Sequence, residues 1–233
     1  MPGNITVTAA LLAGLAIGTF AQETLPTELV LTTKSELEQT YLRDGVVLES
    51  GPLGPALESV LIAARRPGGA VFAYGCGEPA EAPLSIPSTY SVASALDTLT
   101  SIYPTHSWTV RDGVINLLPR QGLPTVLGTP IEHLAWDTNE APSASVGRLF
   151  RLDAVTRRFV ALGITGGMII PGLRKLPRLV DGIPQVPKGR EWKVENVTLL
   201  AALNRIAASY GDARWVYEES TCGAVKSYRV WAH

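Results

Sequence analysis

A self-similarity constrains this chain more than any single motif in it. Residues 90–110 (YSVASALDTLTSIYPTHSWTV) lie over residues 197–217 (VTLLAALNRIAASYGDARWVY) without a gap, at an offset of 107. Ser91 falls on Thr198, Val92 on Leu199, Ala95 and Leu96 on Ala202 and Leu203, and Leu99 on Ile206. Tyr103 then falls on Tyr210 and Trp108 on Trp215. A repeat at fixed spacing means one supersecondary unit built twice, and any account of the fold has to place both copies.

Each copy reads as a capped helix followed by a Trp-led strand. The hydroxyl of Ser91 or Thr198 is suited to accept from the unsatisfied first-turn N–H groups. Val92, Ala95, Leu96, Leu99 and Tyr103 form the apolar stripe of a helix facing a core. Pro104 or Gly211 stops that helix, and Asp112-Gly113 between β-forming runs predicts a tight hairpin after Trp108. The second copy is expected to turn with a longer tip, 215–219 returning through 225–231. Upstream of each copy lies a further helix, Pro55–Arg66 and Ser145–Leu162, each preceded by a strand (Val46–Leu48 and Ile131–Trp136). The strand Ala70–Tyr74 follows the first of these helices.

The fold class is therefore α+β, as two tandem small modules, each a small mixed sheet with two helices in the order strand, helix, strand, strand, helix, hairpin. Module boundaries fall at 45–118 and 131–233. A Pro- and Gly-bearing linker at 119–130 joins them, and residues 22–44 form an N-terminal extension in which Ser35–Leu42 can make a helical turn. Residues 163–190, with four prolines and five Lys or Arg, read as a long loop inside the second module. A loop of that length is either functional or mobile.

Residues 5–21 form the longest charge-free apolar stretch, and its apolar centre, Ala9–Ile17, is too short for a membrane span of about 20 residues and fits the core of a secretory signal. Small residues at Thr19 and Ala21 predict cleavage before Gln22, giving a signal peptide at 1–21 and a periplasmic or secreted mature chain. The n-region lacks Lys and Arg, and an uncleaved anchor is the competing reading. No second run approaches the length of a span, so the processed chain is expected to lack a transmembrane segment.

Residues 46–118 resemble the secretin and TonB short N-terminal domain, a periplasmic module. The likeness rests on Val46–Leu48, the helix PALESVLIAARR, the strand AVFAY, and the capped helix running into WTVRDGVINL. Residues 131–231 look like a second, degraded copy. The resemblance implies a two-helix α+β fold used for protein contacts in the cell envelope, with no catalytic residues to carry over. No barrel or secretin domain follows here, so the chain is not expected to be a pore or receptor itself.

Residues that could carry chemistry are few. Cys76 and Cys222, each beside glycine, either close a disulfide between the modules, as an oxidising compartment permits, or remain two thiols too far apart to bridge. A Cys–His nucleophile from Cys76 with His106 or His133 lacks any signal for an orienting group or an oxyanion site. Two Cys and three His leave no zinc-ligand spacing, and no phosphate-binding, dinucleotide or hydrolase signature occurs. No catalytic residue, metal or cofactor is assigned. Trp108 and Trp215, with Tyr103 and Tyr210, read as core anchors, a stacking platform being the alternative.

The net charge of −1 argues against a nucleic-acid partner. It is split unevenly, with 6 basic and 11 acidic residues in 1–120 against 14 and 10 in 121–233. Arg174, Lys175, Arg178, Lys188 and Arg190 form a candidate basic contact face. The expected function is a non-catalytic protein-interaction adaptor of the envelope, its partner an envelope protein. The alternative is a small-ligand or polyanion binder using the inter-module cleft or the basic loop 174–193.

Overall fold

The computed structural model describes residues 32–76, 81–170, 178–180, 183–185 and 189–233, with only the backbone of the two three-residue stretches. The expected signal peptide at 1–21 lies outside the described residues. The first half runs α1 (Lys34–Gln39), β1 (Val46–Pro52), α2 (Leu53–Ala64), β2 (Gly68–Tyr74), β3 (Glu81–Ile86), α3 (Val92–Ile102), β4 (His106–Arg111) and β5 (Val114–Pro119). The second runs β6 (Pro130–Asp137), α4 (Pro142–Phe150), α5 (Asp153–Ala161), β7 (Ile164–Ile170), β8 (Arg178–Val180), β9 (Ile183–Gln185), β10 (Glu191–Thr198), α6 (Leu199–Tyr210), β11 (Arg214–Cys222) and β12 (Val225–Ala232). The class is α+β, and no helix among the described residues is long and apolar enough to cross a membrane.

Local chemistry sets the repeated elements. Ser91 Oγ accepts from Ser94 N–H at 3.1 Å, and Thr198 Oγ1 accepts from Ala201 N–H at 3.2 Å, the same cap in both halves. The turn Asp112-Gly113 has positive φ at both residues, 51° and 74°, as a two-residue hairpin matched to strand twist needs. The second hairpin does not have the longer tip expected of it. β11 and β12 pair from Trp215↔Ala232 to Cys222↔Val225, leaving a two-residue turn that Gly223 opens at φ 58°.

Two further expectations are corrected. The helix expected over Ser145–Leu162 is two helices, broken at Arg151–Leu152. At about 100° per residue, one continuous helix would point Val146, Leu149 and Phe150 roughly 150° away from Val155 and Phe159. Breaking it lets all five be buried in one cluster. The span 163–190 is not all loop, because Ile164–Ile170 is a strand and 178–185 holds the paired strands β8 and β9.

The two halves meet within a single sheet. One six-stranded sheet runs through both, in the order β4-β5-β2-β11-β12-β7, with β2 and β11 parallel at its centre. β1 pairs with β3, and β6 with β10, as matching two-stranded accessories. Alternation along the strands sends Ala70, Phe72, Ile115, Leu117 and Val216 into one buried cluster with the helices of the first half. Val71, Val114, Leu118, Trp215 and Tyr217 enter the other, with the helices of the second half. Each half thus lends strand side chains to the core of the other, and Gly68–Phe72 is buried throughout, as a strand covered on both faces requires. The stretch 119–130 is no free linker, since Val126 and Leu127 are buried in the second cluster.

Within each half the outer strand, β2 or β7, runs parallel to its neighbour, and the hairpin supplies the other two. A parallel contact between β2 and β11 therefore turns the second half end over end relative to the first. The same turn puts its helices on the opposite face of the sheet.

Candidate functional site

The seam between the halves is stapled at its downstream end. β2 and β11 pair from Arg214↔Gly68 to Ser220↔Tyr74, and two residues beyond that last pair Cys76 and Cys222 form a disulfide with a Cα–Cα distance of 4.6 Å. Of the two readings left open by the sequence, the structure therefore contains the bridge, and the thiol of Cys76 is not available to His106. Both cysteines are exposed. Glu218 and Arg229 close the neighbouring β11–β12 rung at 2.8 Å; burial pushes the Glu218 carboxyl up, and the guanidinium partly offsets this.

At the upstream end the seam is packed. Gly69 lies directly under the indole of Trp215, and a Cβ there would stand 2.0 Å from the ring. Trp215 is 1% exposed, and its Nε1–H donates to Asn204 Oδ1 at 3.2 Å. Asn204 in turn donates to the Arg111 carbonyl at 3.4 Å, tying α6 to the β4–β5 hairpin of the first half. Among the described residues, this end of the seam is filled where a cleft between modules was expected. The crevice beside Trp215, Leu61 and Trp231 has about 10 Å³, room for about one water.

The repeated aromatics sit where helix meets strand, but they are not equivalent in exposure. Trp108 makes the same bond as Trp215, its Nε1–H donating to Asp97 Oδ1 at 2.7 Å, yet remains half-buried, with Lys34 Nζ 5.4 Å above the ring. His106 is buried against Phe72. Its Nε2–H donates to the Val71 carbonyl at 3.2 Å, and burial pulls its imidazole below the usual histidine range despite that bond.

Of the expected basic face, Arg174, Lys175 and Lys188 lie outside the described residues, as does the side chain of Arg178, whose backbone opens β8. Arg190 stacks its guanidinium 5.4 Å over the Trp192 ring, and its N–H donates to Thr138 Oγ1 at 2.9 Å. A second basic feature is formed by Arg157 and Arg158 on α5, which line an open groove with Thr125, Thr129 and Ala154.

A sheet edge as contact surface follows from the sequence reading, but which strands end the sheet does not. β4 closes one end and β7 the other, and among the described residues neither has a strand on its outer side. Their chemistry differs. β4 (HSWTVR) carries a charge, and α1 packs against the adjoining α3 with Leu37 fully buried. β7 (ITGGMII) has no charge and no proline, the usual protections of an edge, and Met168 is 58% exposed. The apolar run Met168–Ile170 after Gly-Gly was the signal available for this strand.

Comparisons with protein-family models, with curated proteins and with solved structures return no match to this chain.

Proposed function

We propose that this protein is a non-catalytic interaction unit of the cell envelope, exported through residues 1–21, that binds a protein partner along the open edge of β7. The single observation that carries the reading is that edge: seven residues without charge or proline, with no strand on the outer side among the described residues, beside an exposed methionine. Backbone pairing supplies affinity in such contacts, and side chains on alternate positions supply selection. The resemblance of residues 46–118 to the secretin and TonB short N-terminal domain supports the compartment and the mode, as does a disulfide that an oxidising environment would maintain.

The test is site-specific photo-cross-linking in the native host. A photoreactive residue at position 168 is expected to capture one dominant envelope protein, and the same residue at Val47, more exposed still but on β1, is expected not to. Identical capture from both positions, or none from 168, contradicts the reading. Polyanion binding is a second reading, favoured by the groove beside Arg157 and Arg158. It predicts salt-sensitive heparin retention lost on Arg157→Gln with Arg158→Gln.

A further inference from the structure

We infer that the partner strand that fits β7 is β4 of a second copy of this chain, docked in parallel, and that α1 occupies the place this docking must clear. The inference rests on the reading of β7 as the docking edge and names its occupant. The chain already contains one example of the joint. At its centre the outer strand of the first half, β2, receives the hairpin strand of the second half, β11, in parallel. The two strands left at the ends are their repeat counterparts: β7 corresponds to β2, and β4 to β11. A head-to-tail contact of this kind does not close on itself, so its two halves remain free at opposite ends. Applying the end-over-end turn a second time restores the orientation of the first half, so β4 of a second copy meets β7 with its strand direction matched.

Side chains at the free ends agree with this. In the internal joint α6 reaches beyond its own half and packs across β2 and β5. Beneath it Val71, on the face of β2 turned away from the helices of its own half, is fully buried. On β7, Ile169 packs toward the helices of its own half, so Met168 takes the opposite face, the position of Val71, and is uncovered. The helix that would cover it is α3 of the incoming copy, the counterpart of α6. In the present chain the overhanging side of α3 is taken instead by α1, whose Leu37 is buried with Leu96 and Leu99 in the cluster of the first half. Lys34 lies over Trp108, the counterpart of Trp215, and Thr32 N–H donates to the Gly113 carbonyl at 3.3 Å. Within the six residues of α1 Leu37 is the buried one, and the chain after it is tied down separately, Val92 N–H donating to the Thr40 carbonyl at 2.7 Å and Leu42 N–H to the Tyr90 carbonyl at 3.1 Å. Loss of the leucine contact therefore frees the helix without freeing Tyr41–Arg43. The second half has a shorter counterpart, the turn Thr125–Gly128, which packs on α6 while the internal joint is made: Leu199 N–H donates to the Thr129 carbonyl at 2.8 Å, as Val92 N–H does to the Thr40 carbonyl. What differs at the free end is the reach of α1 over the hairpin, with Lys34 above Trp108 where Trp215 has Gly69.

The experiment compares four full-length chains by sedimentation and circular dichroism: the parent, Leu37→Asp, Leu37→Asp with Met168→Lys, and Leu37→Asp with Val47→Lys. Leu37→Asp is expected to keep the parent spectrum while its average mass rises to at least twice that of one chain. A lysine at 168, on an exposed site, is expected to return it to a single chain, whereas Val47→Lys leaves the assembly intact. If Leu37→Asp fails to fold, Leu37→Ala carries the same comparison. A folded Leu37 variant that stays at single-chain mass, or an assembly indifferent to Met168→Lys, overturns the inference. Either outcome leaves the edge reading to its own test, capture from position 168.

Discussion

Replacing Cys76 and Cys222 together by serine, or reducing the bond between them, is expected to lower the thermal midpoint by about 10 °C, a loss of roughly 3–5 kcal/mol. The bridge spans a sequence separation of 146 residues, and in the chain-entropy model a loop of that length restricts the unfolded chain by about 5 kcal/mol. It joins the halves at the end of the β2–β11 ladder, so the released chain frays first at Tyr74 and Ser220. Exposure of both cysteines means that a thiol reductant reaches the bond without prior unfolding. Calorimetry of oxidised and reduced protein checks this. An unchanged midpoint would mean that the seam gains nothing from the staple.

A comparable loss, of about 3 kcal/mol or more, is expected from Gly69→Val. Its Cβ would stand 2.0 Å from the indole of Trp215, far inside contact distance. The ring cannot swing aside without giving up its bond to Asn204 and its place in the core. Overpacking in well-packed cores already costs about 1–3 kcal/mol, and here the displaced group is a whole indole at the centre of the sheet. Trp215→Ala alone is expected to cost about 3–5 kcal/mol as a cavity mutation. Gly69→Ala combined with Trp215→Ala should cost less than the sum of the two, because the methyl enters space the indole vacated. Trp108→Ala, at the repeat counterpart, should cost clearly less, since that ring is only half-buried. Denaturant titrations of the parent, Gly69→Ala, Trp215→Ala and their double variant give the cycle, and Gly69→Val and Trp108→Ala complete the comparison. Equal losses at Trp108 and Trp215 would contradict the assignment of the seam.

Much of each half was legible because its determinants are local. The Ser91 and Thr198 caps, the helices they begin and the Asp112-Gly113 turn all follow from residues within a few positions of one another. The break between α4 and α5 was also within reach, since Phe150 and Val155 are out of phase on one helix. The seam was harder. β2 pairs with a strand more than a hundred residues downstream, and only the unbroken burial of Gly68–Phe72 hints that a second face must be covered. β7 gives less still, because its glycines break any alternation and its partner among the described residues is β12, some sixty residues on. The basic residues of 174–188 drew attention by composition, whereas the open edge is defined by what does not pair with it.

Backbone hydrogen exchange on the intact, oxidised chain tests the account most directly. One sheet with a stapled seam and an open end predicts that amides of Ala70–Tyr74 and Val216–Ser220 exchange slowest and together, by global unfolding. Amides of β7 not bonded to β12 should exchange far faster. Independent exchange of the two halves, with the seam amides among the fast ones, would contradict a shared sheet.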